Sequence, residues 1–154
     1  MNTLARAALA GAATGARSFT GLAALTLATP PGSASQPDRS LGRPRVKGLV
    51  ALAAAQELVM DKLPQTPSRL GPIGLGARVT TAAAVGTVAA RREPEPSGAA
   101  VAGAVAVAVV TTVAAAWLGA TWRRVAARRF GTDYAGAGAE DLLAVLLAWT
   151  ATRV

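Results

Sequence analysis

Residues 99–118 read AAVAGAVAVAVVTTVAAAWL, twenty residues in a row without a charge. As a helix rising 1.5 Å per residue, the run reaches about 30 Å, the thickness of a bilayer's hydrocarbon core. Alanine contributes little to insertion, so the valines and Trp117, near an interface, carry the assignment to lipid. The competing reading is a buried helix of a soluble protein. Composition weighs against it. Of 154 residues, 52% are hydrophobic and 16% charged, whereas soluble domains average about 25% charged. The apolar residues are mostly Ala, Val and Leu, which stack small-residue helices better than they fill a core in water. The expected fold is all-α, a small polytopic transmembrane helical bundle of about five helices in a single membrane domain, residues 1–154.

The expected helices lie at about 4–29, 46–63, 70–90, 98–122 and 134–152. A loop covers 30–45, and RRVAARRFGTD at 123–133 links the last two helices. Pro, Gly and Ser in PPGSASQPDRSLGRPRVKG, PQTPSR and RREPEPSG mark the connections. The N-terminus admits a second reading as a leader, with Ser18 to Thr29 as its apolar region and SAS at 33–35 as a small-residue cleavage site. A five-span arrangement places seven Lys and Arg on each side, with Arg6 beside the 62–69 and 123–129 residues. Orientation is therefore undetermined, and the tie points to a miscounted span, to dual insertion or to a long first loop that escapes the positive-inside rule.

The chain has no Cys and no His, which removes thiol nucleophiles, disulfides, Ser-His-Asp triads and Cys or His metal sites. No metal and no cofactor is expected. The net charge of +8 is scattered between apolar segments and forms no stripe with interleaved aromatics, so no nucleic-acid partner is expected. The expected partner is the lipid bilayer. So small a bundle encloses little, which leaves a homo-oligomer open.

The candidate site residues are the charges in or beside the helices: Arg17, Glu57, Asp61, Lys62, Arg78, Arg124, Glu140 and Asp141. An ionised group at the bilayer centre costs about 2.5–3.5 kcal/mol on insertion scales. Such groups persist when they are paired, lie in a wet cavity or reach the headgroups. Glu57 and Asp61, four residues apart, share a helix face. Arg17 is the expected partner of Glu57, with Arg78 the competing cation. Asp61 and Lys62, just before Pro64, also read as a plain helix end. Glu140 and Asp141 are expected either to pair with Arg123 or Arg124, or to open the last helix, where acids complement its dipole. GAATG at 11–15 is a GxxxG pattern that lets helix backbones approach. GARSFTGLAAL and GATWRRVAARR, each followed by a helix with two acids, hint at an inverted repeat.

GARSFTGLAAL, QELVMDKLPQTP, GARVTTAAAVG and AEDLLAVLLAW occur in that order over nearly the whole chain. In these stretches it resembles the bacterial integral membrane proteins of the domain of unknown function 4126 family. E-x-x-x-D-K-x-P is the most specific element. The resemblance implies a small integral membrane protein of several helices and carries no activity with it.

Two functions follow as expectations. The first is a transporter or channel-like protein for a small ion or solute, with the intramembrane charges along a polar path. The second is a structural or assembly membrane protein whose buried ion pairs set helix register. An enzyme is not expected. A polar cavity shared by Glu57 and Arg17 favours transport; a dry, paired contact favours the structural role.

Overall fold

The structure, a computed structural model, describes residues 2–34, 36–60, 70–130 and 134–154. Among them every regular element is an α-helix: α1 (Thr3–Ala16), α2 (Thr20–Leu27), α3 (Asp38–Leu41), α4 (Pro44–Met60), α5 (Pro72–Arg91), α6 (Gly98–Phe130) and α7 (Tyr134–Ala151). Local chemistry starts several of them. The Asn2 side chain accepts from the Ala5 N–H at 3.1 Å, and Ser97 Oγ accepts from the Ala100 N–H at 3.1 Å. Pro72 occupies the first turn of α5, where its missing N–H costs nothing.

The structure corrects the expected helix pattern in three places. The first segment is not one helix over 4–29: it breaks at residues 17–19, where Arg17 is extended (φ −141°, ψ 118°). α2 then folds back along α1, with Gly21 packed on Ala10 and Thr14. The basic run after Leu118 is not a link, because α6 continues through it to Phe130, about 50 Å in all. The long first loop holds the short α3 and is tied to α5, where Arg92 Nε donates to Asp38 Oδ1 at 2.8 Å.

α1 is the central helix, touching α2, α5, α6 and α7. It runs parallel to α6, and the GAATG glycines make their approach possible. A Cβ on Gly15 would stand 2.3 Å from the Thr112 carbonyl oxygen, and one on Gly11 2.5 Å from that of Ala108. Across the same seam Thr112 Oγ1 donates to the Gly11 carbonyl at 2.7 Å. Gly15→Ala is expected to lower stability by about 1–3 kcal/mol through overpacking. Gly103, with open space around it, is the control: Gly103→Ala should be neutral or stabilising by roughly 0.5–1 kcal/mol. Unfolding midpoints of the two purified variants check this, and equal midpoints would contradict the tight seam.

Large apolar side chains line the outside of the bundle. Val110, Trp117, Leu118, Leu142, Val145, Leu146 and Trp149 lie on the outside, each at least half exposed. The interior is Ala-rich and also contains Arg6, Arg17, Arg78, Glu140 and several threonines. Among the described residues two helices, Pro72–Arg91 and Gly98–Arg129, are long and apolar enough to cross a membrane, against about five expected.

Candidate functional site: a charged cluster at a helix break

A helix ending leaves carbonyls without partners, and a helix starting leaves N–H groups without partners. The α1–α2 break creates both kinds of end inside the bundle. Local bonds meet only part of the need: the Arg17 N–H donates to Ala13 and the Thr20 N–H to Arg17, while the N-cap residue of α2, Phe19, makes no side-chain hydrogen bond. Glu57 of α4 supplies one cap. Its Oε1 accepts from the Ser18 N–H at 2.6 Å and its Oε2 from the Phe19 N–H at 3.0 Å. Arg78 of α5 supplies the other, donating from Nε to the Gly15 carbonyl at 3.2 Å and from Nη1 to Gly74 of its own helix at 3.1 Å. Both placements match the helix dipoles, with an anion at the start of α2 and a cation at the end of α1. The two caps face each other, with Arg78 Nη2 and Glu57 Oε1 3.8 Å apart.

Arg17 turns to α7. Its Nε donates to Asp141 Oδ1 at 2.7 Å, and Nη2 bonds the same oxygen. The expected Arg17–Glu57 pair is therefore replaced by two others, Arg17–Asp141 and Arg78–Glu57. The reason is the break: with α1 extended at residue 17, the guanidinium leaves the α4 side, while the backbone N–H groups beyond it turn toward Glu57. Arg124 is not the partner of Asp141 either; it bonds Ala120 and Thr121 of its own helix. α7 starts at Tyr134, so Glu140 and Asp141 lie in its second turn and do not open it. Asp61 and Lys62 lie outside the described residues.

Beside the cluster, a cavity of about 490 Å³ opens between α1, α6 and α7. Its wall is apolar except for Glu140, which is only 5% exposed. The carboxylate rests on the bare backbone of Gly119, where a Cβ would be 2.6 Å from Oε1. Trp122, another wall residue, is held by its Nε1–H, which donates to the Gly136 carbonyl at 3.3 Å.

A second polar cluster, missed in the sequence, gathers at the start of α1. Arg92 donates to Leu25 and Thr29 of the α2 end as well as to Asp38. Lys47 Nζ donates to the carbonyls of Leu27 and Thr29. Arg6, almost fully buried, bonds the main-chain oxygen of Val154. Arg6 thus lies at the end of the bundle that holds Lys47 and Arg92, not with residues 123–129 as a continuous first helix requires. The available signal was the set of basic residues at 39–47 and 91–92, of which Lys47 and Arg92 reach back over the end of α2.

Among the described residues no group of acidic side chains is placed to hold a metal ion. Compared with known protein families, with curated proteins and with solved structures, the chain matches none.

Proposed function

We propose that this chain is a small integral membrane protein that carries a small ion or solute past the tip of a re-entrant helical hairpin, α1–α2. The outward-facing large apolar side chains and the two long apolar helices support a membrane setting. In this reading α4, α5, α6 and α7 cross the bilayer, and the hairpin enters from the Arg6, Lys47 and Arg92 end without crossing. The seven-against-seven tie then reflects a miscounted first span, since only Arg6 changes side. The resemblance to the domain of unknown function 4126 family belongs to the same proposal.

The observation that carries the function is the position of the break. Arg78 lies about 9 Å along α5 from Pro72 and about 20 Å from Arg91, so the broken backbone sits at membrane depth. A continuous helix satisfies its own hydrogen bonds there. A broken one persists only where protein or a cavity satisfies its ends, as at the substrate sites of transporters. Ion pairs that only fix register need no break.

The direct pairing of Arg17 with Asp141, and of Glu57 with the hairpin tip, favours the second reading, a structural protein with buried ion pairs. Two measurements separate the readings and test their shared premise. The intact chain is expected to stay with membranes through carbonate extraction; its release would remove both. Proteoliposomes are then loaded in turn with sodium, potassium and chloride, with pH followed inside. The transport reading expects flux through the wild type and loss of it in folded Glu57→Gln. Tight vesicles under every condition leave the structural reading.

A further inference from the structure

We propose that the end of the bundle where the hairpin enters docks on anionic phospholipid headgroups, through Arg39, Arg43, Arg45, Arg91 and Arg153. The surface rests on the membrane setting proposed above and not on transport.

The five arginines come from separate stretches of chain, and specific contacts gather those stretches at one end. The Arg92–Asp38 pair ties α3, with Arg39, to the end of α5, with Arg91. Lys47, beside Arg43 and Arg45 in sequence, donates to the Leu27 and Thr29 carbonyls at the end of α2, where Arg92 also bonds. Thr3 joins the start of α1 to Glu93, and Arg6 joins it to Val154, the residue after Arg153. All five arginines are exposed, and among the described residues none is bonded to an acid. Asp38 already holds Arg92 and Glu93 accepts from Thr3 Oγ1 at 2.6 Å, which leaves Glu95 as the exposed acid there.

The side chains just below the arginines select the partner. Arg45, Leu49 and Leu52 follow an i, i+4, i+7 spacing and share one face of α4; Leu49 is 67% and Leu52 63% exposed. On α7 the Arg153 guanidinium lies 4.8 Å over the ring of Trp149, itself exposed. Two helices thus pass outwardly from hydrocarbon to arginine within about two turns, the order of chains and phosphates in one leaflet. Tryptophan belongs at that boundary, and guanidinium groups bind phosphate through paired, charge-assisted hydrogen bonds. A nucleic acid or an acidic soluble protein would answer the charge but leave Leu49, Leu52 and Trp149 facing water. An anionic lipid covers both.

Lipid binding to the purified full-length protein in neutral detergent is read by native mass spectrometry, with phosphatidylglycerol and phosphatidylcholine of identical chains. Phosphatidylglycerol is expected to bind at least tenfold more tightly. An arginine at an anionic surface contributes roughly fivefold in affinity, so Arg39→Gln, Arg43→Gln and Arg45→Gln together should remove most of the preference. Arg91→Gln with Arg153→Gln should lower it at least fivefold, and keeps the test open if the triple variant fails to fold. At the opposite end, Arg124→Gln, Arg128→Gln and Arg129→Gln together should leave it intact. Equal binding of the two lipids would overturn the proposal. So would an equal loss in the opposite-end variant, which would show attraction by net charge alone. Glycerol phosphate, a headgroup without chains, should not compete; competition at equal concentration would mark a free-phosphate site and overturn the lipid assignment. A chain released by carbonate loses the membrane setting and this surface together. A retained chain without the lipid preference loses this surface alone, whatever flux the proteoliposomes show.

Discussion

Glu57→Ala is expected to destabilise the protein by about 3–5 kcal/mol, the range for removing one member of a buried charge pair. Two costs combine. The Ser18 and Phe19 N–H groups lose their acceptor, and an unsatisfied buried donor costs about 1–3 kcal/mol. The carboxylate facing Arg78 also disappears, and the side chains are only 11% and 4% exposed. Glu57→Gln should cost less, since its amide oxygen still accepts one N–H. The double variant Glu57→Gln, Arg78→Gln should regain only part of the loss. Glu57 makes its short contacts to the backbone at the tip, and its 3.8 Å approach to Arg78 is the weaker link. Chemical unfolding of the four proteins in detergent measures this. A Glu57→Ala variant within 0.5 kcal/mol of the wild type, against the ~3–5 kcal/mol expected, would show that Glu57 does not hold the break.

The Arg17–Asp141 pair should respond asymmetrically. The Arg17 side chain is 6% exposed and that of Asp141 38%. Asp141→Ala removes a carboxylate from a buried guanidinium and is expected to cost about 3 kcal/mol, the lower end of the range for broken buried pairs. Arg17→Met keeps a buried apolar stem and leaves an aspartate that already reaches the surface, so its cost should be about 1 kcal/mol or less. Arg17→Lys should not restore the wild-type value, because Nε and Nη2 share one carboxylate oxygen, a geometry that an ammonium cannot copy. Equal losses for Asp141→Ala and Arg17→Met would mean that the pair is solvated from both sides.

Much of the helical layout was legible. Apolar runs of helical length, bounded by Pro-, Gly- and Ser-rich connections, read as helices near the observed α4, α5, α6 and α7 because periodicity and punctuation are local properties. Gly11 and Gly15 were legible for the same reason: their spacing puts them on one face whatever they meet. The break at Arg17 was harder to see. GARSFTG holds no proline, and its polar residues fit a continuous helix as readily as a turn; only Gly15, Gly21 and Ser18 hinted at it. Pairing was the least legible. Glu57 is equally compatible with Arg17 or Arg78 until the path of α1 is known.

By itself, then, the sequence determined that the described chain is helical, that cysteine and histidine chemistry is excluded, and that a few charges sit amid apolar helices. Composition and short-range spacing carry those facts. The tertiary structure decided that α1 and α2 form a hairpin, that Glu57 and Arg78 cap its two broken ends, that Arg17 answers Asp141, and that Glu140 faces an apolar cavity. Each of these depends on backbone groups left unpaired at one point in the chain and satisfied by side chains from elsewhere in it. A helix end needs an acceptor or a donor, but only packing determines which residue provides it.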